Sequence, residues 1–343
     1  MTISTSATNS RHDPAGATAN ISWQQAVRNA VRDPGELCRL LALPDEYAAV
    51  AMRAGASFPL FAPREFIARM RPGDPRDPLL LQVLPAVSEL ETSEGFTPDP
   101  VNDGAAAVGP GLLHKYQGRA LMVTTGACAV HCRYCFRRHY PYGSAPRSLD
   151  EWQPALEELA ADCSIHEVLL SGGDPLSLTD RWLGRLAEQL AGIEHIRRLR
   201  IHTRLPIVVP QRICEELLNW LCGTRLVPVV VVHVNHPAEI DSAVAKALGR
   251  LIDAGVPVLN QAVLLRDIND SADVLAELCE RLVDLRVMPY YLHQLDRVSG
   301  AAHFEVPVDV GRRLVAQLHA RLPGYAVPRY VQEVAGRTSK VPL

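Results

Sequence analysis

Ala120-Leu-Met-Val-Thr-Thr-Gly-Ala-Cys128-Ala-Val-His-Cys132-Arg-Tyr-Cys135 joins an apolar, β-branched run to three cysteines spaced C-x3-C-x2-C. The run Ala120–Thr125 reads as a strand, and the cysteines begin just past its end. The chain has 343 residues and eight cysteines, of which Cys38, Cys163, Cys214, Cys222 and Cys279 are scattered. A triplet in an otherwise reduced chain points to a metal centre more than to disulfides. Three thiolates on one loop suit an iron–sulfur cube whose fourth iron stays open to chelate a small molecule through amino and carboxylate groups. The alternatives are a zinc site completed by His131 or His139, and buried structural thiols.

Downstream of this stretch, strand and helix patterns alternate. Helix 149–161, with Ser148 as N-cap and Glu151 completing a capping box, is followed by strand 168–171, helix 179–191, strand 199–203, helix 211–222, strand 227–234, helix 238–253, strand 256–263, helix 272–285, strand 287–292 and a terminal helix near 307–321. That makes six strand–helix units. The pattern predicts an α/β fold with a parallel sheet curled into a full or partial barrel. Polar residues follow several strands: Ser171-Gly172-Gly173-Asp174, His202-Thr203-Arg204, His233-Val-Asn235-His236, Asn260-Gln261 and His293 to Asp296. In parallel barrels that end of the strands carries the chemistry.

Upstream, Trp23, Val27 and Val31 fit one helical stripe closed by Asp33-Pro34. Leu37, Leu40 and Leu41 open a second helix that stops near Pro44, and Pro63–Met70 reads as a third. Residues 91–111, rich in Gly, Pro and Asp, read as a connecting loop. The expected organisation is a flexible tail over 1–20, a helical region with its loop over 21–111, the barrel over 112–305, and a C-terminal helix and segment over 306–343. The net charge of −3 argues against a broad nucleic-acid-binding surface. No apolar run approaches the roughly 18 residues of a membrane span, and the N-terminus has no apolar signal core. The expected compartment is the cytoplasm.

Cys128-Ala-Val-His-Cys132-Arg-Tyr134-Cys135 resembles the signature of the radical S-adenosylmethionine (SAM) superfamily. The resemblance implies a partial (β/α)6 barrel, a [4Fe–4S] cluster and SAM, cleaved after one-electron reduction to methionine and a 5′-deoxyadenosyl radical. Further motifs resemble the lysine 2,3-aminomutases of that superfamily: Leu113-His-Lys-Tyr-Gln-Gly-Arg119, Arg204-Leu-Pro-Ile-Val-Val-Pro-Gln-Arg212, His233-Val-Asn-His-Pro237, Asn260-Gln-Ala-Val-Leu-Leu-Arg266, Pro289-Tyr-Tyr-Leu-His-Gln-Leu-Asp296 and Gly336-Arg-Thr-Ser-Lys340. This family uses pyridoxal 5′-phosphate (PLP) as well.

The resemblance makes Lys340 the catalytic Schiff-base lysine and sets Lys115 and Arg119 beside PLP. It assigns Gly172, Gly173, Asp174, Arg204, Asn260 and Gln261 to cofactor binding. It also assigns Arg137 to the α-carboxylate of lysine, and Asp296 with Glu333 to the ε-ammonium. Glutamate at 333 is longer by a methylene than the family's usual aspartate. Ser271 stands where longer members carry a zinc cysteine, so no structural zinc is expected. The implied enzyme is an isomerase converting L-lysine to β-lysine, fed electrons by a flavodoxin or ferredoxin. The short bacterial form it resembles makes (R)-β-lysine for elongation factor P and its ligase. Alternatives are free-lysine catabolism, a mutase for arginine or glutamate, or a non-catalytic iron–sulfur or zinc protein.

Overall fold

The computed structural model describes residues 21–343; the tail expected over 1–20 lies outside the described residues. Ten strands form one sheet in chain order. Four short helices come first: α1 (Trp23–Arg28), α2 (Pro34–Leu40), α3 (Asp45–Ala54) and α4 (Arg64–Ile67). Strands β1 (Ala107–Gly109) and β2 (Leu112–Tyr116) then form an antiparallel edge on β3 (Arg119–Thr125).

The six units follow as β3 with α5 (Gln153–Ala161), β4 (Glu167–Gly172) with α6 (Asp180–Ala191), β5 (Arg198–Thr203) with α7 (Leu205–Val208) and α8 (Glu215–Cys222), β6 (Val227–Val232) with α9 (Ser242–Asp253), β7 (Val258–Val263) with α10 (Ala272–Asp284), and β8 (Met288–His293) with α11 (Val308–Arg321). Parallel pairing runs unbroken from β3 to β8 and continues to a seventh strand, β9 (Arg329–Gln332); β10 (Val341–Pro342) closes the edge antiparallel to it. The sheet therefore crosses both divisions expected from the sequence, at 111/112 and at 305/306.

Most differences from the expected elements lie at helix starts. Single tight turns at 150–152, 210–212 and 237–239 precede α5, α8 and α9. The expected capping box is only half made: Ser148 Oγ accepts from the Glu151 backbone N–H, but the Glu151 carboxylate accepts from the Arg147 N–H instead of that of Ser148, and Leu149, not Ser148, precedes the turn at 150–152. Val31 is no longer helical: it pairs with Ala62 across an antiparallel bridge, and Asp33 starts α2 by accepting from the Gly35 and Glu36 N–H groups. Helix α3 was not foreseen, because its buried face is three alanines that give little hydropathy contrast.

The core lies between sheet and helices. Val168 and Leu170 of β4 pack outward with Leu183, Leu186 and Leu190 of α6, all fully buried. Burial of each such side chain contributes about 1.5–3 kcal/mol. The period-two pleat sends the alternate residues inward, where they line a cavity enclosed by the strands.

Candidate active site

The cavity has a volume of about 940 Å³, near the upper end for a small-molecule site. Cys128, Cys132 and Cys135 stand at one end, past β3, and Lys340 lies on the wall between β9 and β10. Two glycines let the thiol loop sit this close to the barrel. A Cβ on Gly172, whose φ is +122°, would lie 2.5 Å from the Thr125 carbonyl oxygen, and one on Gly173 would lie 2.3 Å from that of Ala127. The Gly173 and Asp174 N–H groups donate to these same two carbonyls at 2.7 Å. These glycines hold two loops together as well as bordering the cavity.

The N-terminal region braces the thiol loop. Glu89 accepts from Arg133 Nε and from Arg138 Nη2, each at 2.8 Å. Both guanidiniums stack on Phe58 at 4.7 and 4.6 Å. The Arg133 N–H donates to the Gln82 carbonyl and the His131 N–H to that of Phe61. Arg204 donates to Cys132 Sγ at 2.8 Å, to Gln82 Oε1 at 2.6 Å and to Glu239 Oε2 at 2.9 Å. The Asp174 carboxylate is caged by the Thr203 hydroxyl and by the N–H groups of Leu176, Arg204 and Leu205.

Burial, then the neighbouring thiol Cys132, pushes the Cys135 thiol up to about 11, and burial with Cys135, Asp174 and Cys132 also raises Cys128 well above its ordinary range. Such thiols ionise when a cation arrives to offset the charge. The two candidate zinc-completing histidines are engaged elsewhere: His131 lies against Phe58 and Phe61 with Nδ1 on the Pro59 carbonyl, and His139 Nε2 bonds the Ser299 carbonyl. Among the described residues no three His, Cys, Asp or Glu side chains converge on one ion, as a mononuclear zinc site requires. A cube binds thiols at separate corners, and this donor set fits it.

Lys340 Nζ donates to Glu333 Oε2 at 2.7 Å and lies 5.9 Å from the centre of the Tyr291 ring; the Tyr116 hydroxyl donates to Glu333 Oε1. Burial alone would raise Glu333, but Lys340, Tyr116 and Lys115 hold it below the usual carboxylate range. Asp296 lacks such partners: burial, opposed by Lys340 and reinforced by Glu333, lifts it to about 7. Arg119 stacks on Tyr116 at 4.6 Å; Arg198, Arg200 and Arg329 also line the cavity, with Glu167 paired to Arg200 at 3.0 Å, and the surplus of positive charge suits the phosphate of PLP. His202, His233 and His293 also face the cavity, and burial depresses all three, so they stay neutral at pH 7.

The residues singled out in the sequence mostly share this cavity: the three cysteines, Gly172, Gly173, Asp174, Arg204, Gln261, Lys115, Arg119, Arg137, Asp296, Glu333 and Lys340. Asn260 does not. It lies on the outward side of β7, where its amide donates to the Val234 carbonyl and accepts from the Val234 N–H, so it ties β6 to β7. In a strand with period two, only one of the neighbours Asn260 and Gln261 can face inward. Sequence reading gave no role of their own to Asp103, Glu89 and Tyr116. Asp103 is 2% exposed and lies between two cations: its Oδ2 accepts from Arg137 Nε at 2.7 Å, and its Oδ1 is 2.8 Å from Lys115 Nζ. An acid in a Gly/Pro/Asp-rich loop gave no signal of that burial.

The radical SAM superfamily model matches residues 122–279. The chain is 47% identical over 322 residues to the L-lysine 2,3-aminomutase of Escherichia coli (strain K12), covering 94% of each chain. It is 43% identical over 319 residues to the L-lysine 2,3-aminomutase of Haemophilus influenzae, covering 93% of this chain and 94% of that one. It is 35% identical over 324 residues to the L-lysine 2,3-aminomutase of Clostridium subterminale, covering 94% of this chain but 77% of that longer one.

Proposed function

The chain belongs to the L-lysine 2,3-aminomutase family of radical SAM proteins, and from that premise we propose that it moves the amino group of L-lysine from C2 to C3, giving (R)-β-lysine. The observation that carries the reading is a single cavity lined at once by three neighbouring thiols, a lysine amine, a buried guanidinium and two carboxylates. When bound, the cluster with SAM supplies a carbon radical able to take hydrogen from C3, and PLP supplies a conjugated π system for the migrating nitrogen.

The chain's own groups do the rest. Cys128, Cys132 and Cys135 would hold the cluster, and Lys340 the PLP. Arg137 binds the α-carboxylate, and Asp296 with Glu333 binds the ε-ammonium. A glutamate substrate would set a carboxylate against these two acids, so lysine is favoured. Lys340 Nζ, when not engaged with PLP, has Glu333 Oε2 at 2.7 Å as its partner, so the acid that would help hold the ε-ammonium also borders the lysine that would hold PLP. Neutral histidines line the interior without adding charge, and the curved wall of strands shields a reactive radical from water along its sides.

The test is anaerobic reconstitution, then incubation with lysine, SAM, PLP and a reductant such as reduced flavodoxin. β-Lysine should form, and lysine should be turned over in preference to arginine or glutamate. Lack of β-lysine from protein with an intact cluster, seen by its absorbance near 400 nm, would overturn the substrate assignment. For the product we propose use in modifying elongation factor P. Resemblance to the short bacterial form supports this, and the chain spans 94% of its Escherichia coli relative. Deleting the gene should then remove the lysyl-sized mass addition from elongation factor P.

A further inference from the structure

Arg137 is the group on which recognition of the substrate carboxylate rests, and its direction is set by another residue. A guanidinium can meet a carboxylate along the edge formed by its two Nη atoms or along an edge that includes Nε. In this structure Nε is already spent on Asp103 at 2.7 Å, while Nη1 reaches only the Ser171 hydroxyl at 3.1 Å, and among the described residues Nη2 has no hydrogen-bond partner. The Nη edge is the one left for a ligand.

Asp103 is itself fixed. Its backbone N–H donates to Asp99 at 2.9 Å, and its second oxygen is paired with Lys115, whose Nζ also donates to the Val101 carbonyl at 2.7 Å. Burial would raise the Asp103 carboxyl, but Arg137 and Lys115 hold it below its ordinary range, so the acid is charged at neutral pH. A second cavity of about 410 Å³ adjoins this point, and Asp103, Phe136 and Arg137 border both cavities. Without the carboxylate, Arg137 has space to swing away from the substrate.

We propose that Asp103 is a positioning residue for substrate recognition: it clamps Arg137 through Nε so that the Nη edge meets the α-carboxylate, and it anchors that clamp to Lys115. The proposal rests on the reading of Arg137 as the carboxylate-binding residue. It predicts that losing Asp103 harms only ligands that carry an α-carboxylate.

The experiment titrates PLP-loaded wild type, Asp103→Asn and Asp103→Glu with lysine and with lysine amide, which lacks the carboxylate. Binding is followed by the PLP absorbance without SAM or reductant, and KM, kcat, iron and PLP content are measured in parallel. Asp103→Asn should weaken lysine binding and raise its KM at least tenfold, change kcat less than threefold, and leave lysine amide binding and iron unchanged. Asp103→Glu, which keeps the charge, should recover part of the lysine affinity. Equal losses for both ligands would show a general structural role and overturn the proposal. Tighter lysine binding in Asp103→Asn would do so too, because Asp103 would then be only a competing anion.

If Asp103→Asn does not load PLP, the comparison of the two ligands is made on Asp103→Glu, with a severalfold loss expected for lysine alone. A wild type that neither responds to lysine nor makes β-lysine rejects the functional reading itself. A wild type that does both, beside variants that match it, rejects Asp103 alone.

Discussion

Around the thiol loop the buried charges already have partners. Glu89 sits against Arg133 and Arg138, Arg204 against Glu239, and Asp174 inside four donors. Around Lys340 the pattern is reversed. The lysine side chain is 26% exposed, residues 334–339 that lead to it are exposed, and Asp296 forms no side-chain hydrogen bond or ion pair among the described residues. His202 and His293 each keep a buried Nε2 without a partner. At the thiol end the charged groups are mostly paired within the protein, with Arg138 Nε and Arg204 Nε left buried without a partner among the described residues; the Lys340 end carries the polar groups that a substrate would complete. Preorganisation suits a cluster that stays in place through every turnover, and open valences suit a substrate that enters and leaves.

The comparison breaks most directly at the thiols. Cys132→Ala removes one of the three thiols proposed to hold the cluster, and with it the acceptor of the Arg204 guanidinium. Iron content and β-lysine formation should both fall to background, while PLP still loads on Lys340. Retained turnover would refute the cluster assignment.

Next in size is Glu89→Gln. It leaves the Arg133 and Arg138 guanidiniums buried without their shared carboxylate. Removing one partner of such a buried pair costs about 3–5 kcal/mol. The denaturant midpoint should drop and iron per chain should fall with it, whereas protein that still holds the cluster should keep its lysine KM. A normal midpoint would show that the brace at this end is not the stabilising feature taken here.

At the open end the handle is pH. Burial lifts the Asp296 carboxyl to about 7, with Lys340 opposing and Glu333 adding to the rise. A carboxylate must be ionised to hold an ammonium group, so protonating it below that value works against the substrate. The lysine KM should therefore climb as pH falls from 8 to 6, approaching tenfold per unit below the midpoint. Glu333, held low by its partners despite burial, stays charged across this window and does not add to the slope. In Asp296→Asn the KM should be higher and flat with pH. A slope that survives the substitution would assign the titration to another group.

The same contrast explains how much could be read from sequence. The six strand–helix units and the thiol loop are local patterns: period two, period 3.6 and three cysteines within eight residues. The seventh parallel strand is four residues, Arg329-Tyr-Val-Gln, and it is a strand because β8 and β10 lie beside it. Glu89 finds Arg133 across 44 positions, and Asp103 finds Arg137 across 34. Neither acid differs from a surface acid until the fold encloses it. Glu333 and Lys340 came from the resemblance; their contact, and the part Tyr116 has in it, are tertiary facts.

The smallest expected effect is that of Tyr116→Phe. The phenol donates to Glu333 Oε1, while Lys340 takes Oε2, and burial followed by Glu333 raises the phenol enough to keep it protonated at any working pH. Losing it removes one donor from a carboxylate that still has a cation. Glu333 adjoins the exposed 334–339 segment, so water can take the place of the hydroxyl. The cost should be about 1 kcal/mol, seen as a roughly fivefold rise in lysine KM with iron and PLP content unchanged. An equally isolated loss is not available at the thiol end, where no water can replace a missing partner of Glu89, whose side chain is 1% exposed. If Tyr116→Phe proved as damaging as Glu89→Gln, the Lys340 end would have to be regarded as preorganised too, and the division between a finished end and an open one would fail.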